Sequence, residues 1–360
     1  MQQKVTIIAE AGVNHNGSAE MAVRLIDAAA KAGADAVKFQ TFRTEQVMIS
    51  DAPKAIYQLK QTSMEESQYE MVRKFELDEA AHFRLQKHAE EREIAFISTA
   101  FDLDSLHFLL SMNVPFLKIA SGEIENAPLL RMAALSGKKV LLSTGMSDLG
   151  EIEEALGVLA FGYLERAGAK GSPGREAFRQ AYDSEAGRNA LETHVSLLHC
   201  TTEYPAPFSE VNLRVIQTLR QCFALPVGYS DHTAGIAVPI AAAALGASVL
   251  EKHLTLDHDL PGPDHRASLE PEEFARMVQE IRRAEQSIGG PVKRPSPSEL
   301  RNRAIVRKSL VAACPIQKGE CYTEYNLAAK RPAGGRSPME YFDLLGKKAD
   351  RSYKEDEVIR

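Results

Sequence analysis

In residues 226–264, PVGYSDHTAGIAVPIAAAALGASVLEKHLTLDHDLPGPD, two of the histidines, His232 and His253, each close an apolar run. Two neutral imidazoles with water suit a divalent transition metal such as Mn2+ or Zn2+. Other apolar runs also end in residues that hold anions or move protons: Glu10 after KVTIIA, Lys38 and Gln40 in DAVKFQT, Ser98-Thr99 after IAFI. Further on come Lys118, Ser121 and Glu123 in FLKIASGE, Ser143 after KVLL, and Cys200 to Tyr204 after VSLLH. Lysines, hydroxyls and backbone amides gathered at one rim suit a phosphate, and carboxylates beside them can move protons. Lysine inside an apolar strand is costly without a partner, so Lys38 and Lys118 mark a site more strongly than a lone histidine would.

Side chains alternate faces along a strand, so Ser230 shares a face with His232, and Glu251 with His253. Lys252 then points the other way, toward a carboxylate. Blander roles suit other residues: a helix cap for Thr144, a turn for His15, and surface or core-edge positions for His82, His88 and His107. The run from Lys60 to Lys74 is expected as a solvated helix face.

The elements that must position these residues repeat one rhythm. Strand patterns fall at 4–9, 35–41, 94–99, 116–120, 139–143, 195–200, 226–230 and 247–253. Amphipathic helix patterns lie between them and after the last, at 271–287. Eight alternations over about 290 residues predict an α/β fold of the (β/α)8 TIM-barrel type, which needs about 250 residues. An open doubly wound sheet competes, but no Gly-x-Gly-x-x-Gly follows the first strand. The segments 43–75 and 163–193 interrupt the rhythm, the second as a charged helical excursion. The barrel is expected over 1–288, a Pro/Gly/Ser-rich linker over 289–304, and a small domain of short strands and turns over 305–360.

Composition narrows the function classes. With 360 residues, 44% hydrophobic and 26% charged, the chain resembles an ordinary globular protein. A net charge of −6 argues against nucleic-acid binding, yet leaves room for a locally positive pocket. No apolar run suits a membrane span, and the opening MQQKVTIIAEAG does not read as a signal peptide. Cys200, Cys222, Cys314 and Cys321 lack paired zinc spacing and are expected as free thiols in the cytoplasm.

Nearly the whole chain resembles the sialic acid synthases. The resemblance rests on IIAEAGVNHNGS, VKFQTF, FISTAFD, KIASGE, LSTGM, LLHCTTEYPAPF, GYSDHT, LEKHLTLD and GPDHRASLEP, with KRPAGG in the tail resembling their antifreeze-like (SAF, β-clip) domain. Within the family, the bacterial N-acetylneuraminate and legionaminate synthases are the most similar. The resemblance implies condensation of phosphoenolpyruvate with an N-acylated mannosamine-type sugar: N-acetylmannosamine, or as the alternative 2,4-diacetamido-2,4,6-trideoxymannose. It implies that His232 and His253 hold a divalent metal, usually Mn2+. Lys38, Thr99, Lys118, Ser121, Ser143 and Ser230 match phosphoenolpyruvate contacts, and Gln40, Tyr204 and Asp264 match sugar contacts. Glu10 and Glu123 match catalytic carboxylates. Arg331 matches an arginine that enters the partner subunit's site in a domain-swapped homodimer. Thr202 stands where some members have Asn, and Ala100 where some have Pro.

Two readings from other classes stay open on the residues alone. One is a Schiff-base aldolase using Lys38 or Lys118. The other is a noncatalytic sugar-binding protein, for which this set of Lys, His and Glu would be superfluous.

Overall fold

The computed structural model describes residues 4–53 and 67–360. Part of the Lys60 to Lys74 run lies outside the described residues; the rest includes the helix Gln68–Arg73. The chain divides into two units, Met1–Gly289 and Gly290–Arg360. Among the described residues, no helix is long and apolar enough to cross a membrane.

In the first unit eight parallel strands close into a barrel in sequence order. They are β1 Thr6–Gly12, β2 Ala36–Thr41, β3 Ala95–Ala100, β4 Phe116–Ile119, β5 Lys139–Ser143, β6 Val195–Cys200, β7 Val227–Asp231 and β8 Val249–His253. Pairing of β1 with β8, with Glu10 beside His253, closes the ring and excludes the open sheet. Ile8, Ile97, Leu141 and Leu198 cluster with Ala36 and Val249 as an apolar plug inside. Two residues further along their strands stand Glu10, Lys38, Thr99, Ser143 and Cys200, with Glu251 two beyond Val249, so a polar layer lies directly on an oily one. The other face of each strand carries residues such as Ile7, Val37, Phe39, Leu117 and Leu142, packed into the main core. Burial on both faces is what a parallel barrel demands of its strands.

Two glycines permit this geometry. A Cβ on Gly228 would lie 2.5 Å from the Val249 carbonyl oxygen and 2.6 Å from Leu198 Cδ2, so β7 approaches its neighbours only as glycine. Gly12, at φ +52°, turns the chain out of β1 where the β1–β2 register shifts. Ser18, Asp78, Asp102 and Asp148 cap the helices Ala19–Ala32, Glu79–Glu91, Leu103–Ser111 and Leu149–Arg166. Thr144 is not a cap: its hydroxyl donates to the Leu198 carbonyl at 3.0 Å, because Asp148 already accepts from the helix amide. Nor is His82 a surface residue. It is 1% exposed and bonds Thr41 Oγ1 at 2.8 Å, which accounts for a histidine on a helix face turned inward.

The excursion after β5 is helical, as expected. Arg175–Asp183 and Glu185–His194 follow the long Leu149–Arg166 helix, with Phe161 against Phe178 and Tyr163 stacked on His194. The 289–304 segment is not a plain linker. Ser296 and Glu299 form a capping box with Pro297 at the first turn, and a helix runs over Pro297–Val306. Beyond it the strands Ser309–Ala312 and Leu327–Lys330 pair antiparallel. Leu310, Ile316, Tyr322, Leu327, Tyr353 and Ile359 form that unit's own small core.

His15 and His265 are fully buried, and burial lowers each to about 4, with neighbouring histidines adding to the effect at His15. Unfolded histidines titrate near 6.5, so between pH 6.5 and 4 the unfolded chain binds the extra protons and acid favours it. Each site contributes up to ~1.4 kcal/mol per pH unit across that window. Melting curves should therefore move to lower temperature from pH 6.5 downward, and His15→Asn should flatten that slope by about one proton. A midpoint unchanged between pH 7 and pH 5 would contradict the burial argument.

Candidate active site

The polar layer is a charge lattice. Lys38 Nζ lies 2.7 Å from Glu10 Oε2 and 3.6 Å from Glu251 Oε2, and it donates to Thr99 Oγ1 at 3.0 Å. Lys118 Nζ reaches Glu251 Oε1 at 3.2 Å, and Ser230 donates to the same oxygen at 2.8 Å. None of these charged side chains is more than 5% exposed. The register makes this possible: Glu10 is paired with Lys38, Thr99 with Lys118, and Ser230 with Glu251 on neighbouring strands.

Charges cannot be buried without consequence. Burial raises Glu10 to about 7 although Lys38 opposes it, so Glu10 holds or releases a proton near neutrality. Burial also acts against the Glu251 carboxylate, but Lys118 and Lys38 together outweigh it and keep Glu251 ionised. Lys38 is likewise pushed above its ordinary range, because Glu10 and Glu251 more than offset its desolvation. An ammonium held this way is a poor nucleophile, which weighs against a Schiff base at Lys38.

Above the lattice stand the two histidines, with ring centres 5.5 Å apart. Tyr204 lies 4.2 Å from the His232 ring and 5.7 Å from that of His253. His232 Nδ1 bonds the Thr201 carbonyl at 2.6 Å. A carbonyl only accepts, so Nδ1 carries the proton and Nε2 keeps its lone pair. Burial lowers His232 to about 4. Burial, with His232 adding to it, also lowers His253 well below the usual range, and both rings are neutral. His253 Nδ1 is buried with no hydrogen-bond partner, and Asp264 Oδ2 lies 3.9 Å from it. Burial also raises Asp264, to about 6. The donor set therefore suits a divalent cation: two neutral imidazoles, one with its tautomer fixed. Among the described residues no set of three His, Cys, Asp or Glu side chains converges on one point, so water or substrate oxygens must complete such a shell.

These groups open into one cleft of about 440 Å³. Glu10, Lys38, Gln40, Thr99, Lys118, Ser121, Ser143, Tyr204, Ser230, His232, His253 and Asp264 all line it. Gln40 donates to Glu10 Oε1 at 3.3 Å, and Ser121 Oγ accepts from the Gly145 amide at 2.9 Å. Glu123 does not line the cleft. It sits on the turn Ser121–Glu123, where the side chain of Asn126 donates to it at 2.7 Å. Arg331 belongs to the second unit, just after the strand Leu327–Lys330. Among the lining residues to which the sequence assigns no role are Glu251, Cys200 and Thr202. Glu251 was legible as the inward neighbour of His253. Cys200 Sγ touches Ser121 Oγ at 3.1 Å, and Thr202 Oγ1 is buried without a hydrogen-bond partner. The opposite character marks another part of the wall, where Phe42, Val47, Met48, Met71, Val72 and Phe75 are apolar.

Residues 25–293 match the NeuB family, and residues 307–360 match the SAF domain. The N,N'-diacetyllegionaminic acid synthase of Campylobacter jejuni is 51% identical over 99% of both chains. That of Legionella pneumophila is 43% identical over 94% of this chain and 89% of its own. Among solved structures, the N-acetylneuraminic acid synthetase of Leptospira borgpetersenii superposes with a TM-score of 0.67 at 34% identity, covering 83% of this chain and 90% of that one.

Removing Glu251 strands the buried Lys118 ammonium and leaves Lys38 with Glu10 alone. Glu251→Leu should lower stability by roughly 3–5 kcal/mol, the usual loss when one partner of a buried ion pair is deleted. Urea denaturation reads this directly. A shift below about 1 kcal/mol would mean that water reaches Lys38 and Lys118 freely.

Proposed function

The chain belongs to the NeuB family, and on that premise we propose that it condenses phosphoenolpyruvate with an N-acylated mannosamine-type sugar, giving a nine-carbon 2-keto sugar acid and phosphate. The observation that carries this reading is the buried lattice of Lys38, Lys118, Glu10 and Glu251 beneath two neutral imidazoles. Binding a sugar alone needs no such lattice.

Lys38 and Lys118, with Thr99, Ser121, Ser143 and Ser230, hold the phosphate and carboxylate of phosphoenolpyruvate and stabilise charge as it moves. Carbon 3 of phosphoenolpyruvate attacks the aldehyde carbon of the open-chain sugar and forms the new C–C bond. Water adds at carbon 2 and gives up one proton, which passes to the new alkoxide at the former aldehyde carbon; the C–O bond to phosphate then breaks, the remaining hydroxyl proton leaves with the phosphate, and the ketone is left. Glu10, poised near neutrality by burial, is the group that takes or holds a proton there. Glu123, on the turn that carries Ser121 and Gly122 of the lining, would orient that water. Gln40, Tyr204 and Asp264 face the sugar. His232 and His253 would hold a divalent cation such as Mn2+, which when bound supplies Lewis-acid polarisation of the aldehyde oxygen.

Of the two sugars, 2,4-diacetamido-2,4,6-trideoxymannose is favoured. The wall of Phe42, Met71, Val72 and Phe75 suits a methyl group at carbon 6. A 6-hydroxyl placed there would lose water without gaining a partner. Identity of 51% to a diacetyllegionaminic acid synthase points the same way. The test is phosphate release from phosphoenolpyruvate with Mn2+ and each sugar in parallel. The trideoxy sugar should give about 10- to 100-fold higher kcat/KM, the usual range for a hydroxyl in an apolar pocket. Release with neither sugar, or release indifferent to EDTA, would overturn the reading.

The working unit is read as a homodimer in which Arg331 of the partner subunit contacts the sugar's N-acyl group. Arg331→Ala should raise the KM for the sugar while leaving that for phosphoenolpyruvate unchanged. Mixed dimers of Arg331→Ala and His232→Ala subunits should recover activity, since one of their two sites is intact. No recovery after confirmed subunit exchange would rule out a shared site.

A further inference from the structure

Behind the cleft lies a second buried ion pair that the proposed chemistry does not use. Asp231 and Lys252 are the last register pair between β7 and β8, and each immediately precedes a cleft histidine. Alternation turns them outward as His232 and His253 turn inward. There Lys252 Nζ lies 2.6 Å from Asp231 Oδ2, with side-chain exposures of 1% and 0%.

The contacts around this pair converge on the backbone that carries His232. Asp231 Oδ1 accepts from the Thr233 amide at 3.1 Å, the Thr233 hydroxyl at 2.9 Å and the Tyr229 hydroxyl at 3.1 Å. Lys252 also donates to the Thr233 carbonyl. The residues on either side of His232 are thus tied to one ammonium, and that ammonium belongs to the residue before His253. We propose that Asp231 and Lys252 form a positioning clamp that sets the spacing of the two imidazoles for one shared divalent cation.

The clamp rests on the metal role given above to those histidines. Net stability is a weak explanation for it, because buried ion pairs are often replaceable by apolar side chains without loss. Geometry is the better one: the ladder ends at this rung, and His232 lies one residue beyond it. Groups that orient metal-ligating histidines typically change metal affinity about 10- to 100-fold when removed.

The experiment titrates Mn2+ alone into the chelator-stripped full chain and follows the free-ion signal by electron paramagnetic resonance. The proteins are wild type, His232→Ala/His253→Ala, and Asp231→Asn/Lys252→Met, which keeps an acceptor for Thr233 and removes the ion pair. Circular dichroism and melting curves establish folding. Wild type should bind one Mn2+ and the histidine variant none. The clamp variant, folded, should bind one ion about 10- to 100-fold more weakly. Should it fail to fold, isosteric Asp231→Asn alone carries the same expectation at several-fold. Wild-type affinity in a folded clamp variant overturns the clamp and leaves the metal reading intact. Absence of Mn2+ binding in wild type, or equal binding by the histidine variant, overturns the metal reading and the clamp with it.

Discussion

Four charges share one layer inside a barrel whose next layer down is hydrocarbon. That constraint organises the rest of the first unit. Two ammoniums and two carboxylates can sit there only if each is met by an opposite charge at short range, since isolated ions in such surroundings are prohibitively costly. Lys38 between Glu10 and Glu251, and Lys118 against Glu251, meet that condition. The balance is uneven. Glu251 faces both lysines and stays ionised, while Glu10 has chiefly Lys38 and rises to about 7. Glu251 is therefore held as a fixed counter-ion, while burial makes Glu10 the more readily protonated of the two.

The barrel makes this layer possible because closed parallel strands separate two environments residue by residue. Glu251 and His253 point in, while Lys252 between them points out to its own buried partner. A slip of one residue in β8 would exchange these sets, moving Lys252 into the cleft and Glu251 into the helical layer. The apolar plug below, the close approach of β7 through Gly228 and the lateral ion pairs all oppose such a slip. The chemistry and the register thus stabilise one another.

Much of this was legible in the chain. Lys38 and Lys118 stand out because lysine in an apolar strand requires an explanation, and the explanation is the lattice. The strand rhythm predicts the barrel, and period-2 alternation sends Lys252 away from His253. What failed depends on tertiary partners that local pattern does not encode. Thr144 fits a cap until Asp148 is seen to occupy that role. His82 reads as a surface or core-edge helix residue and is fully buried because its partner, Thr41, lies on a distant strand. The helix Pro297–Val306 lies in a Pro- and Ser-rich stretch, where its local signal is the capping box of Ser296 with Glu299.

The cleft also separates what reacts from what is selected. Its lattice and hydroxyls come from strand ends, each strand held by two neighbours and by the core beneath, so their positions are set by the whole barrel. Phe42, Val47, Met48, Met71, Val72 and Phe75 come instead from one segment inserted after β2. Changes there leave the register and the buried charges untouched. A fold arranged in this way can keep one set of anion-holding groups while a single connection varies in apolar surface, and hence in which sugar substituents it accepts. An apolar wall discriminates by refusing to solvate a hydroxyl, which is a modest effect, whereas the charge lattice acts on groups no substrate of this reaction can lack. Selection among sugars is therefore expected to be graded where the dependence on a doubly anionic co-substrate is strict.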